Sequence, residues 1–231
     1  INLSNPMSRV TLAINRGTKV RNVGMCHEGP IGVARICRLI GVDRGDVVAR
    51  ASGINHFTFF TEFRDRRTGE DLLPRIRAHF GRRIYDYSSR SVWLTRQAMR
   101  FVPTGALAEQ LYSPLVAHVV REYGLVPCSV DSHIGEYLPF ALDVGDYHPD
   151  AMTFFQRADH FTERLATWAS TTRVPLPLHL AGHSLEEVVP IIAAMWTGAP
   201  RWIMATNVPN SGFLPDVADG AIVEVGATVD A

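Results

Sequence analysis

The sequence of 231 residues has few cysteines and no excess of charge of either sign. Its three cysteines, Cys26, Cys37 and Cys128, are too few and odd in number for a disulfide framework, which favours a reducing, cytoplasmic location. Lys and Arg together number 23, as do Asp and Glu, so the formal net charge is zero. Because there is no basic tract, we expect no binding to nucleic acid and none to an anionic membrane.

Further absences narrow the class of protein. No apolar run is long enough to span a membrane, and no signal-peptide pattern opens the chain. There is no glycine-rich dinucleotide fingerprint and no phosphate-binding loop. The sequence begins at Ile1 rather than at methionine and stops at Ala231, just after an apolar stretch, so we expect a fragment of a longer protein.

Hydrophobic periodicity predicts an α+β fold, because strands and helices are mixed without regular strand–helix–strand alternation. Strands are predicted at residues 20–25, 47–51, 54–63, 126–130, 201–205 and 221–225. Helices are predicted at residues 8–15, 30–40, 72–80, 114–123, 150–168 and 184–196. Phe57, Phe59 and Phe63 are predicted to share one face of their strand at a period of two residues.

A strand–turn–helix segment places polar residues at a helix start. Cys26, His27 and Glu28 follow the predicted strand at 20–25, and Pro30 would open a helix that ends before Gly41. A thiol that faces the positive end of a helix dipole has a lowered pKa, so we expect the thiolate of Cys26 to be favoured. The alternative is that Cys26 is a small buried residue without chemistry.

His56 lies on the next pair of predicted strands and offers a partner for Cys26. A thiolate and an imidazole can share one metal, and two protein ligands leave coordination positions open for substrate oxygens, as in catalytic sites. His133, Glu136 and Tyr137 form a second cluster, which predicts general acids or bases if they face a pocket and a surface turn if they do not. Asn5, before Pro6, is either a third site residue or part of an ordinary turn.

These clusters, taken in order, resemble glycoside hydrolase family 4, the NAD- and manganese-dependent glycosidases. The matching segments are residues 5–7, 24–27, 53–56, 135–139, 196–198 and 207–230. The resemblance implies an α+β domain like the C-terminal domain of lactate and malate dehydrogenases, with packed helices on a mixed or antiparallel sheet. Residues 1–7 would be the tail of an NAD-binding Rossmann domain, and 8–231 a metal- and sugar-binding catalytic domain truncated at its C-terminal end.

The resemblance also implies a reaction: cleavage of non-phosphorylated α-glycosides by NAD-dependent oxidation at C3 of the sugar, deprotonation at C2 and elimination. Cys26 and His56 match ligands of Mn2+ or another divalent metal. Asn5 and His27 match sugar-binding positions, with Asn5 also near the cofactor, and Asn55, beside the metal ligand His56, would help to bind the substrate.

The base that removes the C2 proton would be His133 or Tyr137, with Asp131 and Glu136 as rivals. The resemblance leaves the sugar open among glucosides, galactosides and galacturonides, and it implies a homodimer or homotetramer. One alternative is an NAD-dependent 2-hydroxyacid dehydrogenase of the lactate and malate type, which would not need Cys26. The other is an inactive scaffold or oligomerisation fragment.

Overall fold

The computed structural model describes residues 1–82, 114–145, 163, 166–167, 170–171 and 187–229. The strands are β1 (Gly24–Met25), β2 (Val47–Ile54), β3 (Phe57–Asp65), β4 (Arg201–Pro209) and β5 (Ile222–Val229). The helices are α1 (Met7–Gly17), α2 (Glu28–Ile40), α3 (Leu73–Arg82), α4 (Pro114–Tyr123), α5 (Asp131–Ile134), α6 (Ala141–Gly145) and α7 (Val188–Thr197). Most of the helix predicted at 150–168, and the first residues of that predicted at 184–196, lie outside the described residues.

The strands form one sheet of five strands in the order β1-β4-β5-β2-β3, and every neighbouring pair is antiparallel. This arrangement confirms the α+β prediction. β4 and β5 are longer than predicted because they pair from Arg201 opposite Val229 to Pro209 opposite Ile222. Among the described helices, none is both long and apolar enough to cross a bilayer.

The strand predicted at 20–25 is reduced to β1, which holds only Gly24 and Met25. Gly24 lies between the backbone of Asn2 and that of Asn207. A Cβ atom on Gly24 would lie 2.6 Å from Thr11 Oγ1 and 2.7 Å from Met7 Sδ, so only glycine lets α1 approach β1 this closely. This packing fixes the position of β1, and Cys26 follows directly after it in the chain.

Helix α2 begins earlier than predicted. It starts at Glu28, with His27 as N-cap, so Pro30 is its third residue rather than its first. It ends at Gly41, whose φ of 68° is the left-handed conformation expected of a C-terminal glycine. Because the helix starts at Glu28, the carboxylate of that residue belongs to the first helical turn.

The hairpin of β2 and β3 carries the second part of the site. Ile54 pairs with Phe57, so Asn55 and His56 alone form the turn. His56 has a φ of 67°, which is uncommon for a residue other than glycine. Such a conformation costs about 1–3 kcal/mol and is typical of functional sites.

A β-bulge in this hairpin overturns the prediction for the phenylalanines. The register shifts so that Arg50 pairs with Glu62 and Ala51 with Phe60, which leaves one extra residue in β3. Phe60 and Phe63 are therefore buried together, with ring centroids 5.1 Å apart, while Phe57 and Phe59 are half-buried. The prediction of a shared face for Phe57, Phe59 and Phe63 is wrong because strict alternation fails at a bulge.

The main core lies between the β2–β3 hairpin and helices α2, α3 and α4. Helix α4 matches its prediction and ends at Gly124, which has a φ of 68°. Residues 126–130 do not form the predicted strand and make only the bridge of Pro127 to Phe59. A Cβ atom on Gly32 of α2 would lie 2.3 Å from Cys128 O, so α2 packs directly on this segment and places residue 129 beside Glu28.

Candidate active site

Five predicted site residues line one cavity of about 360 Å³. They are Asn5, Asn55, His56, Glu136 and Tyr137. Pro6, Met7, Ser8 and Arg9 complete the wall. The volume lies at the small end of the range of ligand pockets, which suits a single sugar ring. Residues from the start of α1, the β2–β3 turn and the segment after α5 thus meet at one place.

His56 and His133 are stacked on each other at one side of this cavity. Their ring centroids are 4.1 Å apart and the ring planes differ by 9°. Nδ1 of His56 lies 3.6 Å from Glu136 Oε2. Burial, and then the proximity of His133, lower the pKa of His56, so the neutral imidazole that binds metals is its favoured form.

His133 is in turn held by two residues that sequence analysis did not assign a role. Its Nδ1 lies 2.8 Å from Ser129 Oγ and 3.5 Å from Glu28 Oε1, and Ser129 Oγ donates to Glu28 Oε2 at 2.8 Å. Burial opposes ionisation of Glu28, but the hydrogen bond and charge of His133, with smaller contributions from Ser129 and Arg35, outweigh it and lower the pKa of Glu28 to about 2.

The thiol of Cys26 is subject to opposing influences. The backbone of Glu28 and the side chain of Asn55, the residue that precedes His56, lower its pKa. Burial, and then the negative charge of Glu224, act in the opposite direction and prevail, so the pKa of Cys26 is about 11. The expectation of a lowered thiol pKa at the helix start is therefore wrong, because the sulfur is buried beside carboxylates.

Tyr137 and Asp131 make hydrogen bonds to different parts of the structure. The phenol of Tyr137 donates to Asn55 O at 2.8 Å, and burial, then the carboxylates of Glu136 and Glu224, raise its pKa. The carboxylate of Asp131 accepts hydrogen bonds from the backbone N–H groups of Leu115 and Val116, each at 2.9 Å. Asp131 thus caps the start of α4 and is absent from the cavity wall.

His27 does not line the cavity. Its side chain is 49% exposed, and Nε2 lies 3.9 Å from Glu28 Oε1. The predicted sugar-binding role of His27 therefore has no counterpart in the cavity wall, although the residue adjoins Cys26 in the chain.

A buried carboxylate, Glu224, lies behind the turn. It is 1% exposed. It accepts hydrogen bonds from Asn55 Nδ2 at 3.0 Å, Asn207 Nδ2 at 2.8 Å and Thr58 Oγ1 at 3.0 Å. Sequence analysis missed its role. The available signal was a lone carboxylate inside the apolar run of β5, which is rare unless the group is paired.

The donor set can be tested against the metal that the resemblance implies. Among the described residues, no three His, Cys, Asp or Glu side chains converge as a complete metal-binding group. His56, whose neutral imidazole is a form that binds divalent metals, lines the cavity, whereas Cys26 is absent from the cavity wall and is related to it only through the effect of Asn55 on its pKa. Because the pKa of Cys26 is raised, metal binding would have to displace the thiol proton.

A second cleft, of about 500 Å³, lies between α2, β2 and β4 and includes Arg44, Arg50 and Trp202. It is larger than the first but contains none of the predicted site residues. We assign the site to the smaller cavity because the titratable side chains converge there.

Comparison with known proteins finds similar relatives along nearly the whole chain. An α-glucosidase from Erwinia rhapontici is 27% identical, covering 99% of this chain and 51% of the relative. An α-galacturonidase from Bacillus subtilis is 29% identical (99% and 51%), and 6-phospho-alpha-glucosidase 1 from Lacticaseibacillus paracasei is 33% identical (97% and 49%). The chain thus spans about half the length of these relatives.

Solved structures give the same result for the fold. The Bacillus subtilis protein lplD is 26% identical with a TM-score of 0.69, over 99% of this chain and 52% of that one. A 6-phospho-alpha-glucosidase from gut microorganisms, solved in complex with NAD and Mn2+, is 19% identical with a TM-score of 0.63, over 99% and 49%. The profile of the family 4 glycosyl hydrolase C-terminal domain matches residues 51–231. Because that match covers most of the sequence, the chain belongs to family 4 of the glycosyl hydrolases.

Proposed function

We propose that this chain is the metal- and sugar-binding part of a glycosidase that cleaves non-phosphorylated α-glycosides by oxidation at C3, deprotonation at C2 and elimination. One observation carries the proposal: residues from three separate segments, Asn5, the turn at 55–56 and the segment at 136–137, line one cavity of about 360 Å³. The names of the relatives, which include glucosidases and a galacturonidase, support the reaction class.

Cys26 and His56 would hold the divalent metal, and Asn5 would lie near NAD. When bound, the metal would polarise the C2 and C3 oxygens of the sugar, and NAD would accept the hydride from C3. The division at residue 7 between an NAD-binding part and the catalytic part remains a prediction. So do the cytoplasmic location and the homodimer or homotetramer.

Within the chain, the residues divide into those that touch the sugar and those that hold the metal ligand. His133 stacks on His56, and Glu136 contacts His56 Nδ1, so both would fix the orientation of that imidazole. Asn5 and Arg9 line the cavity and are available to the sugar.

We propose Tyr137 as the base at C2, because it lines the cavity and His133 does not. Its raised pKa makes the phenol its resting form, while the positive charge of Arg9 favours the phenolate. Glu136, which also lines the cavity, is the alternative. Asp131 is unsuited to this role because its carboxylate caps α4.

The absence of phosphate from the substrate is supported by the charge of the wall. Arg9 is the single Lys or Arg among the described residues that line the cavity, and Glu136 lies on the same wall. Phosphate sites usually present several basic groups or a glycine-rich loop.

The test is hydrolysis of p-nitrophenyl α-glycosides by the intact protein with NAD and Mn2+ added separately and together. Cleavage should require both, and deuterium at C2 of the sugar should slow it, since the C2 proton is removed during the reaction. A glycosidase that used two carboxylates would give no primary isotope effect at C2. Oxidation of lactate or malate without glycoside cleavage would instead support the dehydrogenase alternative.

A further inference from the structure

Glu224 places a buried carboxylate directly behind the turn that carries His56. Glu224 lies on β5 and is 1% exposed. Its Oε2 accepts hydrogen bonds from Asn55 Nδ2 at 3.0 Å and from Asn207 Nδ2 at 2.8 Å. Its Oε1 accepts a hydrogen bond from Thr58 Oγ1 at 3.0 Å. Burying a carboxylate is costly even when it is hydrogen-bonded, so its place in the middle of the sheet calls for a reason.

The contacts of this carboxylate flank His56 on both sides in the chain. Asn55 directly precedes His56, and Thr58, the second residue of β3, follows it. From the cavity side, the backbone carbonyl of Asn55 accepts a hydrogen bond from the phenol of Tyr137 at 2.8 Å. The two-residue turn is therefore held both from the sheet and from the cavity.

His56 needs such support because its backbone conformation is strained. Its φ is 67°. Two-residue hairpin turns usually place glycine at positive φ, since glycine has no Cβ atom to clash. A residue with a side chain stays in that conformation only when the surrounding structure overdetermines it. The hydrogen bonds of Glu224 to Asn55 and Thr58 supply that constraint, and they thereby fix the direction in which the imidazole leaves the turn.

We propose that Glu224 is a positioning residue that clamps the turn at 55–56 and so aims the imidazole of His56 into the cavity. His56 is part of the cavity wall, whereas Glu224 is not. The inference rests on the proposed function in one respect, that His56 takes part in the reaction. A displacement of a catalytic group by about 1 Å can cost about 100-fold in rate, so loss of the clamp should be visible in kcat.

Two substitutions of Glu224 separate its hydrogen bonds from its charge. Glu224→Gln removes the charge, but its amide oxygen can still accept from Asn55 and Asn207. Its NH2 group can donate to Thr58 Oγ1, which lies 2.9 Å from Ile54 O and can donate to that carbonyl. Glu224→Met keeps the length of the side chain and removes both acceptors, so the donors behind the turn lose their partner.

Thr206→Val is the matched control. Thr206 is 2% exposed and donates to Val225 O at 2.8 Å in the same sheet. The substitution removes a buried hydrogen bond without touching the turn, so it reports the effect of a general loss of stability. Thr58→Val is a second test variant, because it removes the donor to Oε1 and leaves Glu224 itself in place.

The experiment records the backbone conformation of His56 by NMR of the intact protein, isotopically labelled at histidine. The one-bond coupling between Cα and Hα distinguishes positive from negative φ, and the variant His56→Gln identifies the signal. The second readout is kcat for cleavage of a p-nitrophenyl α-glycoside with NAD and Mn2+, and thermal unfolding shows which variants fold. We expect Glu224→Met to lose the coupling of positive φ and to lower kcat by about 10–100-fold. Glu224→Gln and Thr206→Val should keep the coupling and stay within about threefold of the wild-type kcat, since the hydrogen bonds to the turn remain.

A coupling of positive φ that persists in Glu224→Met would overturn the inference, as would its persistence in Thr58→Val if Glu224→Met does not fold. Loss of the coupling in Glu224→Gln or in Thr206→Val would also overturn it, because charge or general stability would then hold the turn. A lost coupling with unchanged kcat would show that the direction of the imidazole does not matter to the reaction. These three results leave the proposed function standing, whereas a wild-type protein that cleaves no α-glycoside refutes that function and the positioning role with it.

Discussion

Replacing Asp131 separates a structural carboxylate from a catalytic one. Asp131→Ala removes both acceptors for the N–H groups of Leu115 and Val116, at the first turn of α4. Leu115 is 0% exposed and Val116 5%, so water reaches these N–H groups poorly. We therefore expect a loss of stability and little change in chemistry.

The size of that loss follows from the two bonds. An unsatisfied buried donor costs about 1–3 kcal/mol, and loss of a helix N-cap costs about 0.5–2 kcal/mol. The two costs partly describe the same lost hydrogen bonds, and the site can relax. We therefore expect Asp131→Ala to lower the free energy of unfolding by about 2–3 kcal/mol. For a chain of this size that lowers the unfolding temperature by about 4–12 °C. Asp131→Asn keeps one acceptor and should lose roughly half as much.

The assay is thermal unfolding together with kcat for glycoside cleavage, measured at a temperature where each variant is folded. We expect a lower unfolding temperature in the order wild type, Asn, Ala, with kcat within a few-fold of wild type. An unchanged unfolding temperature with a large loss of kcat would refute the reasoning and return Asp131 to the list of candidate bases.

Three further predictions follow from the site and its packing. Cys26→Ser should lower glycosidase activity by at least about 100-fold without a comparable change in unfolding temperature, since it removes a metal ligand; unchanged turnover would exclude the sulfur as a ligand. Tyr137→Phe should lower kcat by about 10²–10⁴-fold and abolish deuterium exchange at C2, whereas retained exchange in that variant would point to Glu136. Gly32→Ala should destabilise the fold by about 2–3 kcal/mol, because its Cβ would lie 2.3 Å from Cys128 O. The control is Gly41→Ala, at a φ of 68° with nothing near the added Cβ, which should lower the free energy of unfolding by about 1 kcal/mol. Equal losses for Gly32→Ala and Gly41→Ala in denaturant unfolding would contradict the close packing of Gly32 on Cys128.

Local signals were sufficient for several elements. Helices α2 and α4 end at Gly41 and Gly124, as predicted, because a residue with positive φ stops a helix wherever it occurs. The first residue of α2 was misplaced, since His27 makes no side-chain cap that a sequence pattern could reveal. The β-bulge in β3 was also missed, because a bulge depends on the partner strand and leaves the alternation of a single segment ambiguous.

Several of the polar residues singled out from the sequence lie in segments that meet in the structure, while Cys26 and His27 are absent from the cavity wall. Asn5, the turn at 55–56 and the segment at 136–137 line one cavity, and these were chosen from turn chemistry, residue type and a family resemblance. Each such residue sits at the end of a strand or helix, where local sequence carries information about backbone direction.

The charge state and partners of those residues were not available from local sequence. The dipole argument predicted a lowered pKa for Cys26, but burial and Glu224 raise it, because desolvation depends on atoms contributed from remote segments. Asn55 and its partner Glu224 are separated by 169 positions, and Glu28 and Ser129 by 101. Periodicity and caps act within a few residues, so the sequence specified the elements and the candidate side chains. The packing of strands that are distant in the chain decided which carboxylates are buried beside those side chains. It thereby set the charge state of each side chain and the chemistry it can perform.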